Sequence, residues 1–237
     1  KKKEFDFAVE KAIFNSINNN YVVEEYVQGT LHSHSAFIRN KEIILDFFVD
    51  EFCTVYPYQV DCSNHPSRLD SSIKRKIKDS INFIVKDLNL CDGLIHTQLI
   101  VKNSNFWIIE TMRRAPGDLY GYLIEYSSGI NYWGKYLNPF INKKTENDAR
   151  HKNDKLIARH TISSNKLISL KSFKTSISPK SIEVFQLKNS GMELKSAPLD
   201  KMSIVFLEFS NLQELFSNSS NLAKNISIQN YGLEEND

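Results

Sequence analysis

The chain has 237 residues, of which 41% are hydrophobic, 24% are charged and 11% are aromatic. This is the composition of an ordinary globular protein, and it excludes global disorder. Thirty basic and 28 acidic residues give a formal net charge of +2. That charge is too balanced for a protein that mainly neutralises nucleic-acid phosphates or an anionic membrane. We therefore expect neither a nucleic acid nor a membrane as a partner.

The glycine and cysteine residues exclude several common sites. The eight glycines never cluster, which excludes a Walker A loop and a GxGxxG dinucleotide-binding loop. The three cysteines lack CxxC spacing, which argues against a disulfide framework or a structural zinc site and favours the cytoplasm. The sequence begins without a methionine or a signal peptide, and no run of 18 apolar residues occurs. We expect a segment of a longer protein.

The first half of the chain predicts helices that alternate with strands. Apolar residues recur at helical spacing in three segments: 5–17, 71–90 and 118–127. Four segments have the character of strands: 34–38, 42–52, 94–102 and 106–112. The polar residues 103–105 predict a turn between the last two strands. Residues 54–66 contain two prolines and no clear period, which predicts an irregular loop.

A shift in composition after residue 139 predicts a second unit. Residues 142–154 are almost wholly polar, as in a linker. Short strand-like segments follow: 156–162, 166–170, 181–187 and 203–209. A helix is predicted at 210–223. The expected fold class is α+β, with a first domain at 1–139, a linker at 140–154 and a small α+β C-terminal lobe at 155–237.

The residues best suited to chemistry lie on the predicted hairpin. With a three-residue turn, Gln98 lies opposite Glu110, and the period of two places Met112 and Arg114 on the face of Glu110. An amide, a carboxylate and a guanidinium on one face could hold a hard divalent cation and pair with phosphate oxygens. Charged residues on strands more often face solvent or form structural ion pairs, so that alternative stays open.

The order of the segments resembles the C-terminal two thirds of an ATP-grasp domain. The similar segments are VVEEYVQG at 22–29, DGLIHTQ at 92–98, IIETMRR at 108–114 and PGDLYGYLIEYSSG at 116–129. Residues 5–132 carry the resemblance, and the rest is similar to the small C-terminal lobe of amino-acid ligases and carboxylases. The resemblance implies an antiparallel sheet with packed helices, ATP and Mg²⁺ (or Mn²⁺) as cofactors, and a small carboxylate or amino acid as substrate.

The resemblance also implies where ATP binds. VVEEYV matches the hinge over the adenine, which implies that Glu24, Glu25 and Val27 surround the ring. The polar residues near the ribose and phosphates would then include His32 and its neighbours Thr30, Ser33 and His34. The HSHS run at 32–35 could also suggest a metal site, but two histidines without a third ligand argue against it.

The hairpin matches the family's magnesium and phosphoryl sites. Glu110 matches the central metal ligand, and Arg114 matches the catalytic arginine that faces the transferred phosphoryl group. Gln98 stands where the first glutamate is expected, and Met112 stands where an asparagine is expected. The substrate carboxylate is expected at Arg113 or at the turn that contains Gly117 and Asp118.

The two changed ligands leave three functions open. Glutamine keeps an oxygen but loses the charge, and a thioether is too soft for Mg²⁺; nearby Asp46, Asp50 or Glu51 could compensate. The first hypothesis is the C-terminal part of an ATP-dependent carboxylate–amine ligase that forms an acyl phosphate, with a homodimer as an open alternative to a monomer. The second is a degenerate relative that binds a nucleotide without turnover. The third is an interaction domain with no nucleotide site.

Overall fold

A computed structural model describes residues 2–143 and 154–231. The α+β architecture agrees with the prediction. The helices are α1 (Lys2–Phe14), α2 (Ser71–Asp87), α3 (Tyr120–Ser128), α4 (Tyr132–Leu137), α5 (Leu212–Ser219) and α6 (Leu222–Asn225), with a 3₁₀ helix at Asn138–Ile141. The strands are β1 (Thr30–Arg39), β2 (Glu42–Phe52), β3 (Cys62–His65), β4 (Gly93–Lys102), β5 (Asn105–Met112), β6 (Leu156–Ile162), β7 (Ile168–Thr175), β8 (Ser181–Gln186), β9 (Glu193–Leu194), β10 (Ser203–Phe209) and β11 (Ile226–Asn230).

Eight strands form one antiparallel sheet in the order β5-β4-β1-β2-β3-β6-β10-β8. Pairing between β3 and β6 joins the strands on both sides of the predicted linker. The remaining strands form a small sheet in the order β11-β7-β9. The large sheet thus runs through both predicted domains, and the domain boundaries at 1–139 and 155–237 stay a prediction. Most of the predicted linker at 140–154 lies outside the described residues.

Helix α2 covers one face of the large sheet, which we call the α2 face. The Asp70 side chain caps the helix, since it accepts hydrogen bonds from the amides of Ser72 and Ile73 at 2.8 and 3.0 Å. The helix buries an apolar stripe against the middle strands. The stripe consists of Ile73, Ile77, Ile81 and Val85, and the strand residues packed with it are Ala36, Ile38, Phe48, Ile95 and Leu99.

Helices α3 and α4 cover part of the opposite face, which we call the α3 face. A core cluster joins these helices to the strands, through Phe37, Phe47, Val49, Leu94, Tyr120, Leu123, Ile124 and Tyr132. The apolar cover ends at the β4–β5 hairpin, where polar side chains take its place. A third cluster holds the C-terminal segment, around Leu194, Val205, Leu207 and Leu215.

Several predicted elements differ from the structure. The predicted irregular loop at 54–66 contains β3, whose four residues, CSNH, are buried and mostly polar and so lack an apolar alternation. The predicted helix at 210–223 is divided into α5 and α6. The stretch 20–28, which includes the predicted hinge, has no assigned strand and is mostly exposed. No helix among the described residues combines the length and the apolar character needed to cross a membrane.

Candidate functional site

The β4–β5 hairpin places Gln98 opposite Glu110, as the sequence predicts. The turn differs from the predicted one, since Lys102 pairs with Asn105 and leaves a two-residue connection. A bulge restores the register. Ile109 lies between Ile108 and Glu110, which are both paired with β4, and has no partner of its own in the ladder. The bulge supplies the extra residue that the prediction had placed in the turn.

A cleft of about 260 Å³, which we call the hairpin cleft, opens on the α3 face beside these residues. Its lining consists of Glu51, Tyr58, Gln59, Val60, His96, Gln98, Glu110, Met112, Arg114, Pro116, Gly117, Asp118, Tyr120 and Arg159. The predicted metal residues, the predicted catalytic arginine and two predicted substrate residues therefore border one cavity. Glu110 and Arg114 are both exposed. The Arg114 guanidinium donates only to the Ala115 carbonyl, at 3.2 Å, among the described residues.

A second cavity of about 690 Å³, the strand-end cavity, adjoins the hairpin cleft. Val27 and His32 line it, together with apolar side chains that include Ile100 and Ile109. The two cavities have four lining residues in common: Glu51, Tyr58, Val60 and Gln98. These shared residues form a wall between the cavity beside the 20–28 segment and the cleft at the hairpin.

Glu51 is the buried carboxylate between the two cavities. Its residue is 5% exposed, and Gln98 Nε2 donates to its Oε2 at 2.8 Å. Burial raises the pKa of Glu51, although hydrogen bonding to Ser33 and the charge of Arg159 act in the opposite direction. The hydrogen bond orients the Gln98 amide so that its carbonyl oxygen has no bond to another described residue.

The other two carboxylates that could compensate for the changed ligands belong to the α2 face. Asp50 accepts hydrogen bonds from Ser67, Asn64 and the backbone and side chain of Arg68. Asp46 is bound by His34 at 3.3 Å and Lys78 at 2.9 Å. Both are occupied by structural partners. Glu51 is therefore the predicted substitute that faces the hairpin cleft.

His32 lies on the α2 face and uses both ring nitrogens within the protein. Its Nδ1 is 3.0 Å from Asp50 Oδ1, and its Nε2 is 2.7 Å from Thr30 Oγ1. The ring still lines the strand-end cavity. It offers a nucleotide a surface but no free nitrogen.

Three predicted site residues are not brought to either cavity. Glu24 and Glu25 are exposed and lie outside both linings. Arg113 does not line the hairpin cleft, although it is adjacent to Arg114. Its guanidinium donates to the carbonyls of Leu94, Cys91 and Asp92, at 2.6, 2.8 and 3.2 Å. These bonds indicate a structural role for Arg113.

The C-terminal segment contributes cationic side chains that sequence reasoning missed. Arg159 of β6 is 3% exposed and lines the hairpin cleft. It donates to the Asp118 carbonyl and to Ser63 Oγ, at 2.9 Å each. Lys201 forms an ion pair with the Asp118 carboxylate, so that this predicted substrate residue is already neutralised. The signal in the sequence was a charged residue within LIARHTI, a strand that is buried along nearly its whole length.

His96 of β4 lies beside Gln98 in the wall of the hairpin cleft. Its Nδ1 is 2.7 Å from Ser35 Oγ, and its ring packs edge-to-face on Tyr120 at 5.0 Å. Burial, with the nearby charges of His34 and Arg114, lowers the pKa of His96 to about 3. The imidazole is neutral at physiological pH.

The oxygen ligands of the cleft suit a cation that arrives with phosphates. Among residues 2–143 and 154–231, no three His, Cys, Asp or Glu side chains gather closely enough to hold a metal ion by themselves. Glu110 and the free amide oxygen of Gln98 are hard donors, whereas the Met112 sulfur is soft. Mg²⁺ is commonly held by one or two carboxylates together with substrate phosphates. The residues present therefore fit a nucleotide-bound Mg²⁺.

Comparison with known proteins identifies the fold. No family model matches the chain, and no curated protein matches it by sequence. Among solved structures, L-amino acid ligase from Bacillus licheniformis has a TM-score of 0.78 and 16% identity, covering 98% of this chain and 61% of that one. Phosphoribosylglycinamide synthetase from Anaerococcus prevotii has a TM-score of 0.69 and 18% identity, with the same coverage of 98% and 61%. The chain has the ATP-grasp fold.

A third ATP-grasp structure extends the comparison to carboxylases. Biotin carboxylase from Campylobacter jejuni, solved as a complex with β,γ-ATP, has a TM-score of 0.70 and 12% identity, covering 97% of this chain and 54% of that one. The present chain thus spans between 54% and 61% of the length of these three structures. The likeness confirms the predicted fold, in which an antiparallel sheet carries packed helices.

Proposed function

We propose that the chain forms the C-terminal part of an ATP-dependent carboxylate–amine ligase that works through an acyl phosphate. The observation that carries the proposal is the arrangement of Gln98, Glu110 and Arg114 around one cleft, on the fold of an L-amino acid ligase. A larger cavity of about 690 Å³, lined in part by Val27, shares four lining residues with this cleft. A nucleotide with its base in the strand-end cavity would place its phosphates at the hairpin.

Binding of ATP would divide between the two cavities. Val27, Ile100 and Ile109 offer apolar surface for the adenine ring. Mg²⁺ or Mn²⁺ held by Glu110 and the Gln98 amide oxygen would neutralise phosphate charge, which is what phosphoryl transfer needs most. We leave Glu24 and Glu25 out of this binding scheme, since neither lines a cavity.

The reaction needs positioning and charge stabilisation more than covalent help. A carboxylate oxygen of the substrate attacks the γ-phosphorus, and ADP leaves. The Arg114 guanidinium, which has spare donors, would pair with the oxygens of the transferred group. The Gly117 turn and Arg159 would form the wall beside the carboxylate, in place of Arg113. An amine then attacks the acyl carbon, phosphate leaves, and the amine loses a proton.

A second function, nucleotide binding without turnover, is favoured by two observations. Met112 occupies the expected position of a metal-binding asparagine, and its sulfur is a poor ligand for Mg²⁺. Gln98 is neutral and is held by Glu51. The glutamine lowers the negative charge that a cation would meet during phosphoryl transfer, and the methionine offers no hard oxygen ligand.

The test is phosphate release by the full-length protein. MgATP is supplied with each of the 20 common amino acids, singly and in pairs, and both ADP and phosphate are measured. A ligase releases both only when an acid and an amine acceptor are present, and Glu110→Gln should abolish the release. Arg75→Gln, at an exposed position on α2, is the matched control and should retain it.

Measuring how MgATP changes the stability of the protein, beside its phosphate release, separates the three functions. MgATP at about 100 times its dissociation constant should add about 2.7 kcal/mol to the free energy of unfolding. This stabilisation without phosphate release would support the second function. Absence of any stabilisation would overturn both functions and leave an interaction domain.

The proposal extends to the compartment and the oligomeric state. The three cysteines, Cys53, Cys62 and Cys91, are free, which suits the reducing cytoplasm that we propose. A homodimer is an open alternative to a monomer, and the mass of the full-length protein in solution would decide between them.

A further inference from the structure

A cavity of about 230 Å³, which we call the inter-sheet cavity, lies where the end of the large sheet meets the small sheet. Residues of β8 and β10 line it together with residues of β7. None of its lining residues borders the hairpin cleft or the strand-end cavity. A site in this cavity is therefore separate from the one proposed for ATP.

Ser203 of β10 brings a buried hydroxyl without a partner to the inter-sheet cavity. The residue is 1% exposed, and its Oγ makes no hydrogen bond within the part of the chain that the structure describes. Gln186 lies directly opposite on β8, and residues paired in this way project from the same face of a sheet. Because both residues line the cavity, the Ser203 side chain points toward it. An unpaired buried hydroxyl is costly, so a partner within the cavity is expected.

Ordered water is the simplest partner for such a hydroxyl, but the cavity is larger and more apolar than a water site. A single water molecule, at about 30 Å³, would fill a small part of it. The side chains of Leu170, Val184 and Met202 line it as well. A buried water needs two to four polar partners, which apolar side chains do not supply. The lining suits a ligand that has both a polar group and an apolar part.

The charges around the cavity favour an anion of single charge. Lys188 Nζ is paired with the Asp200 carboxylate at 2.6 Å and donates to the Glu193 carbonyl at 2.8 Å, so its charge is compensated. The Lys171 ammonium lies 5.7 Å from the centre of the Tyr231 ring and has no hydrogen bond or ion pair with another described residue. No aspartate or glutamate among the described residues lines the cavity. One positive charge is therefore left for a ligand.

We propose that the inter-sheet cavity binds a small monocarboxylate with a short apolar chain. Its carboxylate accepts a hydrogen bond from Ser203 Oγ and pairs with the Lys171 ammonium, while its chain packs against Leu170, Val184 and Met202. A phosphate dianion is disfavoured, because one of its charges would stay uncompensated beside apolar side chains. An ammonium ligand is disfavoured because both lysines repel it.

The test is a titration of full-length protein with sodium propionate, followed by the assigned methyl signals of Leu170, Val184 and Met202. Propionamide, which has a similar shape but no charge, and inorganic phosphate are titrated in parallel at an ionic strength held constant with sodium chloride. We expect propionate to shift the methyl signals saturably. Propionamide and phosphate should bind at least about tenfold more weakly, because each lacks part of the match in charge and apolar contact.

Matched variants test the two polar contacts. Ser203→Ala should weaken propionate binding about tenfold, the loss typical of a hydrogen bond to a charged group. Its control is Ser219→Ala, since the buried Ser219 hydroxyl lies outside the cavity lining and donates to a backbone carbonyl. Lys171→Gln should weaken binding about two- to fivefold, as expected for an exposed ion pair. Lys174→Gln removes the same charge from an exposed position of β7 outside the lining, and it should bind propionate as the wild type does.

The thermal stability of the ligand-free protein separates a binding role of Ser203 from a structural one. The hydroxyl has no partner to lose, so Ser203→Ala should unfold at the temperature of the wild type or above it. Added propionate should raise the unfolding temperature of the wild type more than that of Ser203→Ala. A structural serine predicts a lower unfolding temperature for the variant without propionate.

The inference is overturned if propionate shifts no signal saturably, or if propionamide or phosphate binds as well as propionate. It is also overturned if Ser203→Ala binds propionate as the wild type does, which would leave water as the partner of the hydroxyl, or if Lys171→Gln and Lys174→Gln bind it equally. None of these measurements contains nucleotide. The proposed function therefore stands or fails independently, on phosphate release with MgATP.

Discussion

The two faces of the sheet formed by β1, β2, β4 and β5 differ in how far their charged and polar groups are buried. On the α2 face, His32 and Asp50 are bonded to each other and to further neighbours, beside the apolar stripe of α2. On the α3 face, Glu110 and Arg114 are exposed, and only one ring nitrogen of His96 has a hydrogen-bond partner among the described residues. Satisfied polar groups maintain the fold, and groups left with spare donors or acceptors are available to a ligand.

Two consecutive arginines illustrate the same difference. Arg113 donates to three backbone carbonyls and so holds the backbone at the start of β4 in place. Arg114 donates to one carbonyl and borders the hairpin cleft. Neighbouring positions just after the end of β5 thus have different partners and different surroundings.

The largest stability effect is expected in the core of the α2 face. Ile81 is fully buried there, and Ile81→Ala should lower the free energy of unfolding by about 2–5 kcal/mol, because a cavity remains. Nucleotide affinity of the folded molecules should stay unchanged, as titration at low temperature would show. Phe83→Ala, at a 68% exposed position on the same helix, is the control and should change stability by no more than about 0.5 kcal/mol. A large loss of nucleotide affinity in folded Ile81→Ala protein would contradict the separation of the faces.

The arginine pair should give the sharpest contrast in activity. Arg114→Met should lower kcat by about 10²–10³, since a donor to the transferred phosphoryl group is lost, with a change in stability within about 0.5 kcal/mol. Arg113→Met should retain kcat and lose about 1–3 kcal/mol of stability, because the carbonyls it binds lose their partner. Phosphate-release kinetics and chemical denaturation measure the two effects. The reverse pattern would mean that the roles are exchanged.

A smaller effect is expected in the pH dependence of stability. Burial alone would raise the pKa of Asp46, but His34 and Lys78 together lower it to about 2 from 3.8. This difference corresponds to about 2 kcal/mol of stability, which is fully present above about pH 4 and is lost as the pH falls through about 2. Asp46→Asn should therefore lose less stability than wild type between pH 5 and pH 2 in urea denaturation.

The exposed Asp79 of α2 provides the control for Asp46. Asp79→Asn should keep the acid-dependent loss of stability of the wild type, since exposed charges contribute little. Equal acid dependence of wild type and Asp46→Asn would contradict the assignment of that loss to the α2 face.

The sequence could predict the facing pair of the hairpin but not all of its surroundings. The strand period and the family resemblance place Gln98, Glu110 and Arg114 correctly relative to one another. The bulge at Ile109 compensates for a shorter turn, and neither has a distinct signal in the residues. Register is set by pairing, which local patterns specify weakly.

Contacts between distant parts of the chain were beyond sequence reasoning. Arg159 reaches the hairpin cleft because β6 pairs with β3, a strand whose polar sequence gave no signal. Arg113 and Arg114 have the same chemistry, and only their partners distinguish them. The environment of a side chain therefore depends on tertiary pairing more than on its residue type.

The central claim, that a nucleotide-bound cation lies at the hairpin on the α3 face, is tested most directly by paramagnetic broadening. Mn²⁺ with ADP is added to full-length protein whose amide and isoleucine methyl signals are assigned. We predict strong broadening of the signals of Gln98, Ile109 and Glu110, while the methyl signals of Ile73 and Ile81 are much less affected. Broadening centred on the α2 face, or no selective broadening at saturating Mn²⁺-ADP, would contradict the claim.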